Sequence, residues 1–267
     1  MWMVLIFAAL LAGSGVAEEP TYTRLTGVEA EDFLRTAEIV DRENIPIGVT
    51  APQRLTLSDG TRTVRAVWKT IAEYRPVKRF DDGGPPELGF RDSYESEIAA
   101  YELDKILGFD FVPPTVKRRI RRTDGSLQLW VEDCVTEGAR RRQDLRPPDP
   151  EAWTRQIFNT RLFRQLTYDA DFKNLSNLLV DKDFRLWVID HSRAFRTQKV
   201  LQNQDYLRRF SRRHLAGLRA LTPEILEEKL GDWLTLGQRE SLLARRDLLL
   251  AHAERLIAEL GEETVLY

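Results

Sequence analysis

The sequence is poor in the residues that build disulfides and zinc sites. Among 267 residues it has one cysteine, Cys134, and three histidines, His191, His214 and His252. A single cysteine excludes a disulfide within the chain and a cysteine zinc cluster, and the histidines lack metal-ligand spacing. The sequence also lacks the G-x-S-x-G of serine hydrolases and the Walker A phosphate loop. With a net charge of −2, the composition gives no reason to expect a nucleic-acid partner.

The first residues have the pattern of an export signal. An apolar run from Trp2 to Leu11 is followed by small residues that end in Gly15-Val16-Ala17, which is typical of a signal peptide and its cleavage site. The run is shorter than the roughly 20 apolar residues that span a membrane. We therefore predict a cleaved signal peptide over residues 1–17 and an exported protein, periplasmic, secreted or in the lumen of the secretory pathway. No stable membrane span is then expected after cleavage. Because no Lys or Arg precedes the run, an uncleaved anchor is the alternative.

The rest of the chain predicts a single α+β domain of two lobes over residues 18–267. The first half alternates apolar and polar residues around Asp-Gly turns at residues 59–60 and 124–125, and the stretch 75–90 reads as a loop. One helix, capped by Asp92 or Ser93 and ended by Gly108, interrupts these strands. We expect a strand-rich N-lobe at about 22–134, a linker at 135–149 and a C-lobe at 150–267.

The C-lobe is expected to be helical. Asp149-Pro150 has the form of a helix start, with an acid at the N-cap and proline at the first helical position. After Phe195 the chain reads as helical to its end, with a capping box at Thr235 and Gln238. Two lobes of this kind leave a cleft between them, where a ligand would bind.

Five polar residues lie beside the predicted strands or on the helix between them. Lys69 ends the strand "RAVWK", Glu97 lies on the next helix, Asp171 precedes Asn177 and its strand "LLV", and Asp190 ends "LWVID". Phosphoryl transfer requires a lysine on the phosphates, an acid that orients it, an aspartate that accepts a hydroxyl proton, and an Asn and an Asp on a metal. The order Lys, Glu, Asp, Asn, Asp is the order in protein kinases.

Two longer stretches resemble a known family. "EIAAYELDKILGFDFVPPTVKR" (97–118) and "VIDHSRAF" (188–195) resemble the secretory-pathway kinases of the Golgi casein kinase and four-jointed family, which belong to the atypical kinase superfamily. The layout is more distantly similar to HipA-type kinases and phosphoinositide kinases. The likeness extends over roughly residues 37–195 and implies a two-lobed, protein-kinase-like fold.

The resemblance also implies roles for individual residues. Lys69 would bind the phosphates of ATP, and Glu97 would pair with Lys69 and also reach a metal. Asp190 and Asn177 would hold Mg²⁺ or Mn²⁺, and Asp171 would be the catalytic acid or base. The activity implied is transfer of the γ-phosphoryl group of ATP to a hydroxyl group.

Further contacts follow from the same resemblance. Gly48, in "IPIGVT", would lie in the turn that covers the phosphates, because glycine lets backbone N–H groups approach a ligand closely. Backbone between Glu132 and Cys134 would bind adenine. The acceptor is a hydroxyl on a protein Ser or Thr or on a glycan, and the sequence favours neither.

The catalytic turn leaves two pairings open. In the family the aspartate and the metal asparagine are usually five positions apart, whereas Asp171 and Asn177 are six apart and Asp169 and Asn174 are five apart. We favour Asp171 and Asn177, because a strand follows Asn177 directly. An irregular turn and an exported location are also compatible with a pseudokinase that binds nucleotide or acts as a scaffold. A HipA-like regulator would require a cytoplasmic location and fits the N-terminus poorly.

Overall fold

The computed structural model describes residues 22–45, 52–81 and 83–267. The predicted signal peptide and Gly48 lie outside the described residues. Helices and strands occur in this order: α1 Gly27–Thr36, β1 Glu38–Asn44, β2 Gln53–Ser58, β3 Thr63–Lys69, β4 Ala72–Lys78, β5 Glu87–Ser93, α2 Tyr94–Leu107, β6 Thr115–Ile120, β7 Thr123–Leu129, β8 Cys134–Thr136, α3 Glu137–Arg142, α4 Pro150–Thr167, β9 Leu178–Asp181, β10 Leu186–Val188, α5 Arg212–Ala220, α6 Pro223–Leu230, α7 Leu236–Leu260 and α8 Glu262–Val265. The predicted α+β architecture, strand-rich first and helical afterwards, is confirmed.

The N-lobe is built on a five-stranded antiparallel sheet in the order β1-β2-β3-β7-β6. Alternate residues of the strands, among them Leu55, Ala66 and Leu127, are fully buried on one face. Helix α1 covers this face with Phe33 and Leu34, so period-two burial leaves the other face to the cleft. Lys69, the last residue of β3, lies on that cleft face.

Residues 75–90, which the sequence predicts as a loop, contain most of a β-hairpin. β4 and β5 pair with each other and with no other strand of the described residues, and Tyr74 lies opposite Arg91 and Val77 opposite Leu88. The loop prediction is wrong, because the Pro and Gly residues of this stretch do not interrupt the two strands. An isolated hairpin has only free outer edges, so it tolerates Pro76 within β4. Its base is tied to the cleft where Ser93 N–H donates to the Ser192 carbonyl at 2.9 Å.

The second predicted Asp-Gly turn was also wrong. The chain reverses at Arg121 and Arg122, and Gly125 lies inside β7. A Cβ at Gly125 would come within 2.5 Å of the Lys69 carbonyl oxygen and 2.6 Å of Trp68 Nε1. Glycine is therefore required here by the close approach of β3, and not by a turn.

The C-lobe packs its helices around one apolar core that includes Leu162, Phe163, Leu242 and Leu249. Asp149 caps α4, and Thr235 and Gln238 form the predicted capping box of α7. The predicted linker at 135–149 contains the end of β8, which pairs with β9, and helix α3.

The expectation of helix directly after Phe195 was wrong. From 196 to 211 the described chain is irregular apart from one short 3₁₀ turn at Gln204–Tyr206. The buried Arg245 replaces helical hydrogen bonds here, because its guanidinium donates to the carbonyls of Leu166, Arg196 and Gln198 at 2.6–2.8 Å. Within the described ranges, no helix combines the length and apolarity needed to cross a membrane.

Candidate functional site

Three of the predicted residues meet at the base of the cleft. Lys69 Nζ donates to Glu97 Oε1 at 2.5 Å and to Asp190 Oδ1 at 2.6 Å. Burial of the amine opposes its charge, but the charges and hydrogen bonds of Glu97 and Asp190 outweigh burial and raise the pKa of Lys69. Lys69 therefore remains an ammonium ion over the whole physiological pH range. The predicted ion pair between Lys69 and Glu97 is confirmed.

Glu97 lies in the first turn of α2 and is only 1% exposed. The helix begins at this point because Ser93 caps it, accepting a hydrogen bond from Glu95 N–H. The second oxygen, Oε2, accepts the backbone N–H of His191 at 2.9 Å. Glu97 thus fixes both the lysine and the backbone that follows Asp190. Because both of its oxygens are occupied, its additional role as a metal ligand stays a prediction.

Asp190 has a left-handed backbone conformation, with φ of 64°. Its side chain is 43% exposed and opens into the cleft. Burial disfavours the charge of this carboxylate, but the adjacent Lys69 outweighs burial and lowers the pKa of Asp190. Asp190 is therefore an ionised carboxylate at neutral pH, held in place by Lys69 and open to the cleft on its other side.

Asn177 lies next to Asp190. The Asn177 carbonyl accepts the N–H of Ile189 at 3.0 Å, which joins the start of β9 to the residue before Asp190. The Asn177 side chain is 5% exposed. Its Oδ1 accepts from Asn174 Nδ2 at 3.1 Å, whereas its Nδ2 is buried without a hydrogen-bond partner among the described residues. A buried amide with an unsatisfied polar atom is costly, and a ligand in the cleft would relieve that cost.

Asp171 faces the cleft from the turn after α4. Its side chain is 36% exposed, and Oδ1 lies 3.4 Å from Arg193 Nη1. Burial, together with the charges of Asp169 and Asp190, raises the pKa of Asp171, and Arg193 and Arg164 oppose this rise. A carboxylate in this position is suited to accept a proton.

Asp169 and Asn174, the alternative pair, are placed differently. Asp169 is 2% exposed, pairs with Arg164 Nε at 2.6 Å and accepts the N–H of Asp171 at 2.9 Å. Asn174 is exposed and caps the 3₁₀ turn Leu175–Asn177. Asp169 therefore holds the turn together from inside the C-lobe, and the geometry favours Asp171 and Asn177 at the cleft.

The residues at the cleft are compatible with a divalent cation. In the part of the chain that the structure describes, no group of three or more His, Cys, Asp or Glu side chains is arranged to hold a metal. Asp190 and Asn177 offer two ligands on one side only. Mg²⁺ commonly binds through one or two protein ligands and takes the remaining oxygens from substrate phosphates and water. The unsatisfied Asn177 Nδ2 is an N–H donor, which cannot ligate a cation but can donate to the phosphate oxygen that such a cation brings.

A large cavity lies away from these residues. It has a volume of about 850 Å³, and Leu25, Tyr101, Trp130 and Trp187 contribute to its wall. Lys69, Glu97, Asp171, Asn177 and Asp190 do not line it, whereas Glu132, at one end of the backbone predicted to bind adenine, does. We assign the chemistry to the cleft, because the lysine, the acids and the amide converge there. In the segment predicted to bind adenine, Glu132 pairs with Arg65, and Cys134 Sγ donates to the Val131 carbonyl.

Two residues at the cleft were not predicted. Asp92 has one buried oxygen without a partner among the described residues. Burial raises its pKa, a hydrogen bond from Ser192 opposes the rise, and the charge of Asp190 adds to it. Arg193 contacts Asp171. In the sequence Asp92 reads only as a helix cap and Arg193 only as part of a motif, because their contacts join segments that are far apart in the chain.

Neither a family model nor a curated protein sequence matches this chain. Solved structures do match. A Fam20 protein from hydra, solved with sugar, shares 16% identity over 90% of this chain and 91% of its own, with a TM-score of 0.65. The Golgi casein kinase with Mn and ADP bound shares 15% identity over 89% of this chain and 77% of its own, with a TM-score of 0.60.

The Helicobacter pylori proinflammatory kinase CtkA shares 12% identity over 86% of this chain and 99% of its own, with a TM-score of 0.51. The chain has an atypical kinase-like fold. Lys69 ends β3, Glu97 lies on α2 and Asp190 follows β10, as the sequence predicts, and their roles toward ATP and a metal stay predictions.

Proposed function

We propose that the protein is an ATP-dependent phosphotransferase that moves the γ-phosphoryl group of ATP to a hydroxyl acceptor, a protein Ser or Thr or a glycan. The observation that carries this proposal is the convergence of Lys69, Glu97 and Asp190, with Asp171 facing the same cleft. The kinase-like neighbours, one of them solved with Mn and ADP, support it. The acceptor, the preferred metal and the exported location remain part of the proposal.

Each residue has a task in this reaction. Lys69, kept charged by its two acidic neighbours, contacts the phosphates of ATP, and Glu97 keeps the lysine in place. Asp190 and Asn177 would hold the metal, which would supply positive charge to the phosphate oxygens. Asp171 accepts the proton of the acceptor hydroxyl. The hydroxyl oxygen then bonds to the γ-phosphorus as the bond between the γ-phosphorus and ADP breaks. Gly48 and the backbone at 132–134 complete the nucleotide site in this proposal.

Nucleotide titration tests the proposal directly. We expect the protein to bind ATP only with Mg²⁺ or Mn²⁺ and to label itself, a protein acceptor or a glycan acceptor from γ-labelled ATP. Lys69→Met and Asp190→Ala should each abolish metal-dependent nucleotide binding while the fold stays intact. Lys117→Met and Asp183→Ala are matched controls, because both side chains are exposed ion-pair members away from the cleft. Unchanged affinity in the two site variants would refute the site, and binding without any phosphoryl transfer would identify a pseudokinase.

A further inference from the structure

Arg193 connects the β4–β5 hairpin to the catalytic turn. Its Nη2 donates to Glu87 Oε2 at 2.6 Å, and its guanidinium carbon lies 5.4 Å from the centre of the Phe90 ring. Both Glu87 and Phe90 belong to β5. The same guanidinium directs Nη1 at Asp171 Oδ1, at 3.4 Å. One planar side chain therefore contacts a carboxylate of the hairpin and the proposed proton acceptor at the same time.

The position of the guanidinium is set by the hairpin and not by Asp171. The contact with Glu87 is the shorter of the two, and Glu87 is itself held by Arg196, whose side chain is 3% exposed. Arg193 is 27% exposed, so its charge is only partly screened by water. Lysine could not replace this arrangement, because a single ammonium group lacks the planar fork that reaches two separate carboxylates.

The contact between Arg193 and Asp171 offsets negative charges that surround Asp171. Asp169 approaches from the same turn and Asp190 from the segment after β10, and both oppose a negative charge on Asp171. Arg164 contacts the Asp171 carbonyl from α4 at 2.8 Å, and Arg193 contacts the carboxylate. Lys173, two residues further on, lies over the Phe172 ring. Arg193 is thus the one cation with a described contact to the carboxylate oxygens of Asp171.

We infer that Arg193 is a positioning residue: held by Glu87 of the inserted hairpin, it orients the Asp171 carboxylate toward the acceptor hydroxyl and keeps it ionised. This inference rests on the proposed function for its catalytic meaning, but the contact and its electrostatic effect belong to the protein alone. It also gives the hairpin a function, since in the part of the chain that the structure describes β4 and β5 pair only with each other.

The first experiment needs no turnover. Carboxyl ¹³C NMR titration of the full chain, labelled at aspartate and assigned with Asp171→Asn, should follow Asp171 directly. Removal of the cation in Arg193→Gln should move the Asp171 titration midpoint to higher pH. The positive charge stabilises the ionised carboxylate of Asp171 more than the neutral carboxyl group, so its loss favours the protonated form. Arg193→Lys should keep the midpoint closer to that of the unchanged protein. Arg141→Gln, an exposed arginine paired with Glu137 in the linker, should leave the midpoint unmoved.

The second experiment measures catalysis. In Arg193→Gln we expect kcat to fall roughly 10- to 100-fold at neutral pH with little change in the KM for ATP, as a misplaced catalytic group would cause. The acid limb of the kcat profile should move to higher pH, and Arg193→Lys should recover part of both effects. An equal Asp171 midpoint in the unchanged protein and Arg193→Gln would overturn the inference whatever the activity. A shifted midpoint in a protein without turnover would refute the proposed function and leave the electrostatic contact in place.

Discussion

Asp169→Asn and Asp171→Asn, made as two separate variants, should affect different properties: the first the stability of the fold and the second catalysis. Asp169 and Asp171 are two residues apart, but the Asp169 carboxylate is buried against Arg164 and that of Asp171 is 36% exposed at the cleft. Asparagine has nearly the same shape as aspartate. In Asp169→Asn, however, its amide carries no charge to balance Arg164, whose side chain is 5% exposed.

The expected magnitudes differ accordingly. Breaking a buried ion pair by removing one partner costs about 3–5 kcal/mol of unfolding free energy, which corresponds to roughly 6–20 °C in Tm for a domain of this size. Asp169→Asn should therefore unfold much earlier but retain turnover per folded molecule. Asp171→Asn should lose roughly 10²- to 10⁴-fold in kcat with little change in stability.

Urea unfolding followed by circular dichroism, paired with phosphoryl transfer at a temperature where every variant is folded, measures both quantities. Asp183→Asn is a matched control, because the Asp183 side chain is 66% exposed in its pair with Arg24 and should change stability by less than about 1 kcal/mol. An Asp169→Asn protein as stable as the unchanged one would contradict the assignment of Asp169 to the interior. Loss of turnover in Asp169→Asn with retention in Asp171→Asn would move the site to Asp169 and Asn174.

Three further predictions concern other parts of the chain. Gly125→Ala should lower the free energy of unfolding by about 1–3 kcal/mol and weaken nucleotide binding, since the added Cβ would press on the Lys69 backbone. Gly237→Ala, whose Cβ would meet no atom within 4 Å, is the control in the same unfolding and binding assays. Burial raises the pKa of Asp104 to about 7, so the folded state retains a proton that the unfolded chain releases near pH ~4. Unfolding free energy should therefore fall as the pH rises from about 4 to about 7, and urea titrations of Asp104→Asn should show a flatter profile; an unchanged slope would contradict this. Burial also raises the pKa of Cys134 to about 11, so iodoacetamide should label it at pH 8 roughly 100-fold more slowly than the unfolded chain, and equal rates would show an open thiol.

The residue order and several local boundaries could be predicted from the sequence alone. Capping by Asp149 and by the pair Thr235 and Gln238 depends only on residues within one helical turn, and such local chemistry is readable from sequence. The succession Lys69, Glu97, Asp190 was also predictable, because phosphoryl transfer restricts which residue types are useful and where strands must end.

The tertiary structure decided which of these residues meet. Lys69 and Asp190 are 121 positions apart but form a hydrogen bond, and no local pattern encodes that contact. Asp169 and Asp171 have the same chemistry, and only the packing of α4 distinguishes the buried one from the one at the cleft. The β4–β5 hairpin was misread as a loop, and with it the contact between Arg193 and Asp171 was missed. Burial and long-range proximity arise from the packing of distant segments, so they were decided only when the whole chain had folded.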